Sequence, residues 1–476
     1  MDMRFSVLQG VRSDMKLNRI MIAAPGSGSG KTILTCALLK ALKNRGEQVV
    51  SYKCGPDYID PMFHEKAIGI SSKNLDTFFT GEDVTRKLFL KNRTEKNFAV
   101  IEGAMGLYDG LGGTREEGSS YHLAKVTETP IVLVIDAKGM GRSVIPVITG
   151  FLAYDKEHLI QGVILNKMSK SYYEMIKPLI ENELGIRALG YFPDQKDIRI
   201  ESRHLGLVMP DELADIQKQL QTLSEELERT VDVGVIKRIA ERASSLVCTP
   251  EGINGDRCSE DKENDKPVIA VAKDEAFCFY YEDNLLMLQE KGAEITYFSP
   301  LHETKLPNYC DALLIGGGYP ELYINELSQN ISMKDAIKQA FDKGMPALAE
   351  CGGFMYMHDT MTDTHGISHT MVGAIPAACS YKGKLVRFGY VEIKEKRSVF
   401  LPEGQFIKGH EFHYYDSTDN GGNCTAVKPT TGREYSCVMA GKSYWLGFPH
   451  LYYPSNPFFA ENFVKKAREY RKGKLI

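Results

Sequence analysis

The chain has 476 residues, too many for one ordinary core, and two domains are expected. Its hydrophobic share of 43% and charged share of 25% are those of a soluble globular enzyme, and a net charge of -4 excludes a general pull towards nucleic acid or anionic membrane. The 11 histidines show no HExxH spacing and the 10 cysteines no CxxC pair, which disfavours a zinc site or a disulfide framework. Reduced thiols in a cytoplasmic protein are expected. Met1–Asn18 lacks the apolar core of a signal peptide, and no apolar run approaches the ~18 residues of a membrane span.

In chain order, the first half alternates short apolar runs with helical patterns. Strands are expected at Arg19–Ala24, Gln48–Tyr52, Phe98–Glu102, Ile131–Asp136 and Gly162–Asn166, with a helix over Lys31–Lys43. Short apolar strands without clean alternation, separated by helices, predict βαβ units and a doubly wound, mostly parallel sheet. Leu213–Leu246 reads as polar and helical. Thr249–Lys266 loses nearly all apolar content, which predicts an exposed linker between a domain at 1–248 and another at 267–476. The α/β rhythm then restarts with strands at Val268–Ala272, Glu294–Phe298, Ala312–Ile315 and Ala347–Glu350, and helices at Asp283–Lys291 and Lys334–Lys343.

Two motifs carry chemistry. Ile22–Thr32 (IAAPGSGSGKT) lies between a strand and a helix, as a phosphate-binding loop requires. Its glycines, including Gly28 and Gly30, let backbone N–H groups face phosphate oxygens. Lys31 then reaches the β- and γ-phosphates, and the Thr32 hydroxyl is placed for Mg²⁺. Pro25 stands where the strict consensus has glycine. Glu102 and Asp136 end apolar strands, where a carboxylate can reach a metal. Cys54–His64 (CGPDYIDPMFH) on its own residues reads as a Pro-bounded turn with exposed acids.

The second motif is Ala347–Phe354 (ALAECGGF), an apolar strand running into Cys351 and two glycines. This is the pattern of a strand-to-helix elbow that exposes a nucleophile, and the helix start is expected to lower the thiol pKa. Leu313–Pro320 (LLIGGGYP) places Gly317 and Gly318 where backbone N–H groups can stabilise an oxyanion. His450, in Phe448–Tyr453 (FPHLYY), follows far downstream as the expected general base. The other nine cysteines are expected in the core.

Eight segments together resemble the cobyrinic acid a,c-diamide synthase family, over essentially the whole chain after Asn18. They are APGSGSGKT (24–32), CGPDYIDP (54–61), EGAMGLYDG (102–110), RHLGL (203–207), AVAKDEAFCFYYEDNL (270–285), GGGYPEL (316–322), ECGGFMYM (350–357) and GHEFHYY (409–415). The resemblance implies a dethiobiotin-synthetase-like P-loop domain followed by a class I glutamine amidotransferase-like α/β domain. It implies ATP, Mg²⁺, glutamine and a corrinoid or related tetrapyrrole as the small molecules handled, with no nucleic acid or membrane partner. A homodimer is one candidate assembly.

By position, Lys31 and Thr32 resemble the family's ATP-phosphate and Mg²⁺ residues, and Glu102 and Asp57 further metal ligands. Tyr58, Ile59, Asp60 and Asp109 fall in substrate-facing motifs, and Asn166 resembles a base-recognition residue. Cys351 matches the glutaminase nucleophile and His450 its base. Related amidotransferases carry His-x-Glu at that point, whereas this chain reads His450-Leu451-Tyr452, so the third triad member is absent or supplied differently. The same chemistry on hydrogenobyrinate or nickel sirohydrochlorin is the alternative within the family. A partitioning-type ATPase fused to an inactive amidotransferase-like module is the rival from another class; glutaminase activity separates the two.

Overall fold

A computed structural model describes residues 13–91, 93–195, 210–248 and 266–473. The RHLGL motif and linker residues 249–265 lie outside the described residues. The chain forms two compact units, residues 1–255 and 256–476.

The first unit is built on seven strands: β1 (Asn18–Ala23), β2 (Gln48–Cys54), β3 (Ser72–Leu75), β4 (Asn97–Glu102), β5 (Ile131–Asp136), β6 (Ile160–Asn166) and β7 (Arg187–Phe192). Their order is β3-β2-β4-β1-β5-β6-β7, and every pairing is parallel. Ile20, Ile22, Val100 and Val132 pack with helix α1 (Lys31–Asn44) on one face, while Met21, Ile101 and Leu133 between them are equally buried. Burial on both faces is why these strands read as unbroken apolar runs.

The helical stretch predicted over Leu213–Leu246 is interrupted. Helix Pro210–Thr230 stops, Val231 bridges to Gly190 of β7, and Asp232 caps a second helix, Val233–Glu241, by accepting from the Val235 N–H at 2.8 Å. Its last residues are strand, Leu246–Cys248, paired with Ser13–Met15.

The second unit has a sheet of five parallel strands, in the order Glu294–Phe298, β8 (Val268–Ala272), β9 (Ala312–Ile315), β10 (Ala347–Glu350) and β11 (Tyr444–Gly447). Met439–Ala440 closes it antiparallel. A five-stranded antiparallel sheet, centred on Arg387–Glu395 and Phe406–His413, ends in the short strand His450–Leu451. Among the described cysteines, Cys36, Cys54, Cys351, Cys379, Cys424 and Cys437 are buried, but Cys278 and Cys310 are only half-buried, against the expectation that all would be core. Among the described residues no helix is long and apolar enough to cross a membrane.

Arg19, the second residue of β1, is wholly buried. Its guanidinium donates to the carbonyls of Leu17 (2.9 Å), Thr127 (2.8 Å), Glu128 (3.2 Å) and Ser244 (2.8 Å), joining β1 to the approach to β5 and to the chain after the second helix. Burial lowers its pKa to about 10, leaving it charged. Arg19→Met would strand these acceptors; we expect a loss of about 3 kcal/mol or more, read from the urea midpoint. A loss below about 1 kcal/mol would show that water replaces the guanidinium.

Candidate active sites

The phosphate loop runs from the end of β1 into α1. Gly28 (φ +76°) and Gly30 (φ +93°) both take left-handed backbone, and a side chain at Gly30 would collide with the Asn166 amide. Asn166, at the end of β6, is buried and donates to the Ser29 carbonyl at 2.9 Å, bracing the phosphate loop. The Lys31 ammonium donates to the carbonyls of Gly26 (2.9 Å) and Met105 (2.5 Å). The Met105 segment lies on the loop, Leu107 N–H donating to Ala24 at 2.8 Å, and Asp109 accepts from the Gly106 N–H at 2.9 Å. Burial, then the charge of Lys53, lowers the Lys31 pKa.

Beside this loop lies a buried cluster. Thr32 donates to Glu102 Oε1 at 2.6 Å, and Lys53 Nζ stands 2.8 Å from Glu102 Oε1 and 2.5 Å from Asp60 Oδ2. Burial and the Asp60 charge raise Glu102 to about 7, against the pull of Lys53. Burial also opposes charge on Lys53, but Glu102, Asp60 and Asp57 outweigh it and raise its pKa. Asp60 would likewise be raised by burial, yet Lys53 lowers it. His64, 3.5 Å from Glu102 Oε2, is pushed down to about 4 by burial and is therefore neutral.

Lys53 and His64 are the residues that sequence reasoning missed here. A lysine inside the otherwise inward-facing run of β2 was the available signal.

The CGPDYIDP segment is no exposed turn. Asp60 and Tyr58 are buried, Ile59 is partly buried against the core, and Ile59–Phe63 is helical. Asp57 accepts from the Ile59 N–H at 2.7 Å, and burial, then Asp60, raises it to about 6. Asp136 pairs with Lys167 at 2.6 Å instead of joining the cluster. Among the described residues no three acidic, imidazole or thiol groups are arranged to hold a metal ion by themselves. Mg²⁺ seldom needs that many, since phosphate and water complete its shell. The Thr32 hydroxyl, and Glu102 with its Oε2 buried and without a hydrogen bond, are oxygen donors that fit the ion.

In the second unit Cys351 follows β10 with φ +49° and ψ -105°, a strained backbone at the strand-to-helix turn. Its N–H donates to Gly447 of β11 at 2.9 Å. A side chain at Gly353 would meet the Ile315 carbonyl, and one at Gly352 would lie 2.8 Å from Pro320 Cδ and 3.2 Å from Gly318 N. These bare positions let the glycine loop close on the elbow, bringing Gly318 beside it. Gly317 abuts the His450 imidazole edge.

His450 is buried and stacks on His410 (centroids 4.9 Å, 18°), which bonds the Tyr281 hydroxyl at 3.1 Å. Asn284 brackets the next residues, donating to Leu451 O (2.8 Å) and accepting from Tyr453 N–H (2.8 Å). Tyr452 donates to Asp283 at 3.1 Å.

The expected low thiol pKa is not found. Burial, then the charge of Glu321, raises Cys351; a five-residue helix does not offset the loss of water. Burial, then His410 and His413, lowers His450. The resting pair is therefore thiol and neutral imidazole.

Fold and site define a P-loop nucleotide-binding unit joined to an amidotransferase unit built on a cysteine elbow. Residues 20–208 match the CobQ/CobB/MinD/ParA nucleotide binding domain, and residues 268–445 the CobB/CobQ-like glutamine amidotransferase domain. Relatives named cobyrinate a,c-diamide synthase occur in Caldanaerobacter subterraneus subsp. tengcongensis (40% identical, 90% of this chain and 94% of theirs), Thermoplasma volcanium (38%, 97% and 100%) and Dehalococcoides mccartyi (36%, 96% and 99%). The chain belongs to the cobyrinate a,c-diamide synthase family, and it is a glutamine-hydrolysing amidating enzyme.

Glu350, the residue before Cys351, is buried, faces the Leu451 N–H and the Tyr453 hydroxyl (3.5 Å), and is raised by burial to about 8. Between the ordinary 4.5 and about 8 the folded chain keeps a proton that the unfolded chain has released, so stability falls as pH rises through that window. Glu350→Gln, always neutral, should remove this part of the slope in urea midpoints taken across the window. Parallel curves for the two proteins would refute the assignment.

Proposed function

We propose that the chain uses ATP to amidate the a and c acetate carboxylates of cobyrinate, with ammonia drawn from glutamine and an acyl phosphate as intermediate. The observation that carries the reading is the buried contact of Thr32, Glu102, Lys53 and Asp60 beside the phosphate-loop lysine, in a chain that also bears the cysteine elbow. On this reading residues 1–248 are the synthetase half and 267–476 the glutaminase half.

A carboxylate resists ammonia because its charge repels nucleophiles and oxide leaves badly. Attack of a substrate carboxylate oxygen on the γ-phosphorus of ATP, with ADP leaving, gives an acyl phosphate whose leaving group is good. Phosphoryl transfer depends mainly on positioning and charge neutralisation. Lys31 leaves the carbonyls of Gly26 and Met105 to hold phosphate oxygens, while Lys53 keeps a second positive charge behind the cluster. Mg²⁺, held by Thr32 and Glu102, would supply further neutralisation of the phosphates. Tyr58, Ile59, Asp60 and Asp109 border the substrate carboxylate, and Asn166 supports the loop that holds the nucleotide. Ammonia then attacks the acyl carbon and phosphate leaves.

In the glutaminase half, Cys351 begins as a thiol and His450 as free imidazole, the state in which a base can accept a proton. Sulfur attacks the glutamine amide carbon as His450 takes the thiol proton and passes it to the departing ammonia. Gly318, with Gly317 beside it, offers backbone N–H to the oxyanion. Water, deprotonated by His450, hydrolyses the thioester to glutamate.

Cys351→Ser should abolish glutamine-dependent amidation and leave ammonium-dependent amidation intact, both followed as amide formed per ATP consumed. Equal loss of both would overturn the two-site reading. Lys31→Ala should lower amidation with either nitrogen source by about 10²-fold or more, since it strips charge from the transferring phosphoryl group. Near-normal turnover with ammonium would place the nucleotide elsewhere.

A further inference from the structure

The glycine loop at the elbow continues into Pro320–Tyr323, a single turn of 3₁₀ helix. Pro320 abuts Gly352, which follows Cys351, and Glu321 is the next residue of that turn. Its carboxylate acts on the thiols of Cys351 and Cys379 and on the Tyr415 hydroxyl, and it is the largest charge felt by Cys351. Three other acids of this unit have donors facing them. Glu411 has Arg387, Lys428 and Tyr435; Asp274 accepts from three backbone N–H groups and Ser299; Glu350 faces Leu451 and Tyr453. Among the described residues Glu321 has no cation and no side-chain donor, only its own backbone N–H.

A desolvated carboxylate without a counter-charge is costly to keep, and selection retains such groups where a ligand completes them. Glu321 is half-buried. The substrate whose amide must lie on Cys351 brings its own cation: in glutamine, two methylenes and the α-carbon join the amide carbon to an ammonium group. We propose that Glu321 is the specificity residue for the glutaminase reaction, its carboxylate binding the α-ammonium of glutamine while the amide lies over Cys351. The assignment rests on the glutaminase reading above and goes beyond it by naming what selects glutamine among primary amides.

The test compares ammonia release by the full-length chain from glutamine and from glutaramate, which has the same amide and chain but no ammonium. Wild type should favour glutamine by about 10²-fold in kcat/KM, the size expected when a charged hydrogen bond is left unmade. Glu321→Gln should raise the KM for glutamine by about the same factor with kcat within about threefold, leave glutaramate unchanged, and so erase the preference. Glu321→Asp should recover part of it. Equal loss on both substrates would assign Glu321 a structural or chemical role, and an unmoved KM would remove it from the site; either overturns the proposal, as would a wild type indifferent to the ammonium. Ammonium-dependent amidation serves as the activity control. A wild type that releases no ammonia from glutamine would instead defeat the glutaminase reading itself, a result distinct from an active enzyme that ignores the substitution.

Discussion

Where β2 ends, the ammonium of Lys53 lies between the carboxylates of Glu102 and Asp60, with almost no access to water. Sheet pairing sets half of this contact, because Lys53 and Glu102 are direct neighbours across β2 and β4. Asp60 arrives from the short helix after β2, and Thr32 ties the start of α1 to the same carboxylate. One buried cation thus fixes two strands and two helices around the phosphate loop. Removing it would leave two buried acids facing each other, a defect worth about 3–5 kcal/mol. The cluster is no net source of stability, since well-packed apolar groups would hold the same elements together at least as well.

What the sequence made legible follows from how each element is solvated. Parallel strands buried on both faces appear as apolar runs, and β1, β4, β5 and β6 were found within two residues of their ends. β3 (Ser72–Leu75, SKNL) was missed because three of its four buried residues are polar. The antiparallel sheet after Cys351 was missed for another reason: Arg387–Glu395 (RFGYVEIKE) keeps only Val391 and Ile393 fully inside, so its apolar signal is diluted by its wet face. The break at Val231 depends on contact with Gly190, which no local pattern announces.

The sites divide in the same way. Gly30, Lys31, Thr32 and the Cys351 elbow belong to local strand–loop–helix units and were readable from spacing. The Lys53 pairings join segments far apart in sequence, and the thiol's true environment depends on burial by distant segments. Helix-start reasoning therefore gave the wrong direction for the Cys351 pKa, because it counted the local dipole and not the loss of solvent. The clamp of Asn284 and Asp283 on Leu451–Tyr453 lies in a segment noted for resemblance alone.

The positive φ at Cys351 bears on how this chain can change over time. At φ +49° and ψ -105° any residue with a β-carbon is strained by about 1–3 kcal/mol, and glycine escapes most of that. On the glutaminase reading proposed above, drift at this codon runs downhill in backbone energy towards a protein that lacks its nucleophile and folds at least as readily. On that reading, screens that reward expression or heat resistance would enrich such chains, and only a screen that counts ammonia would keep the thiol.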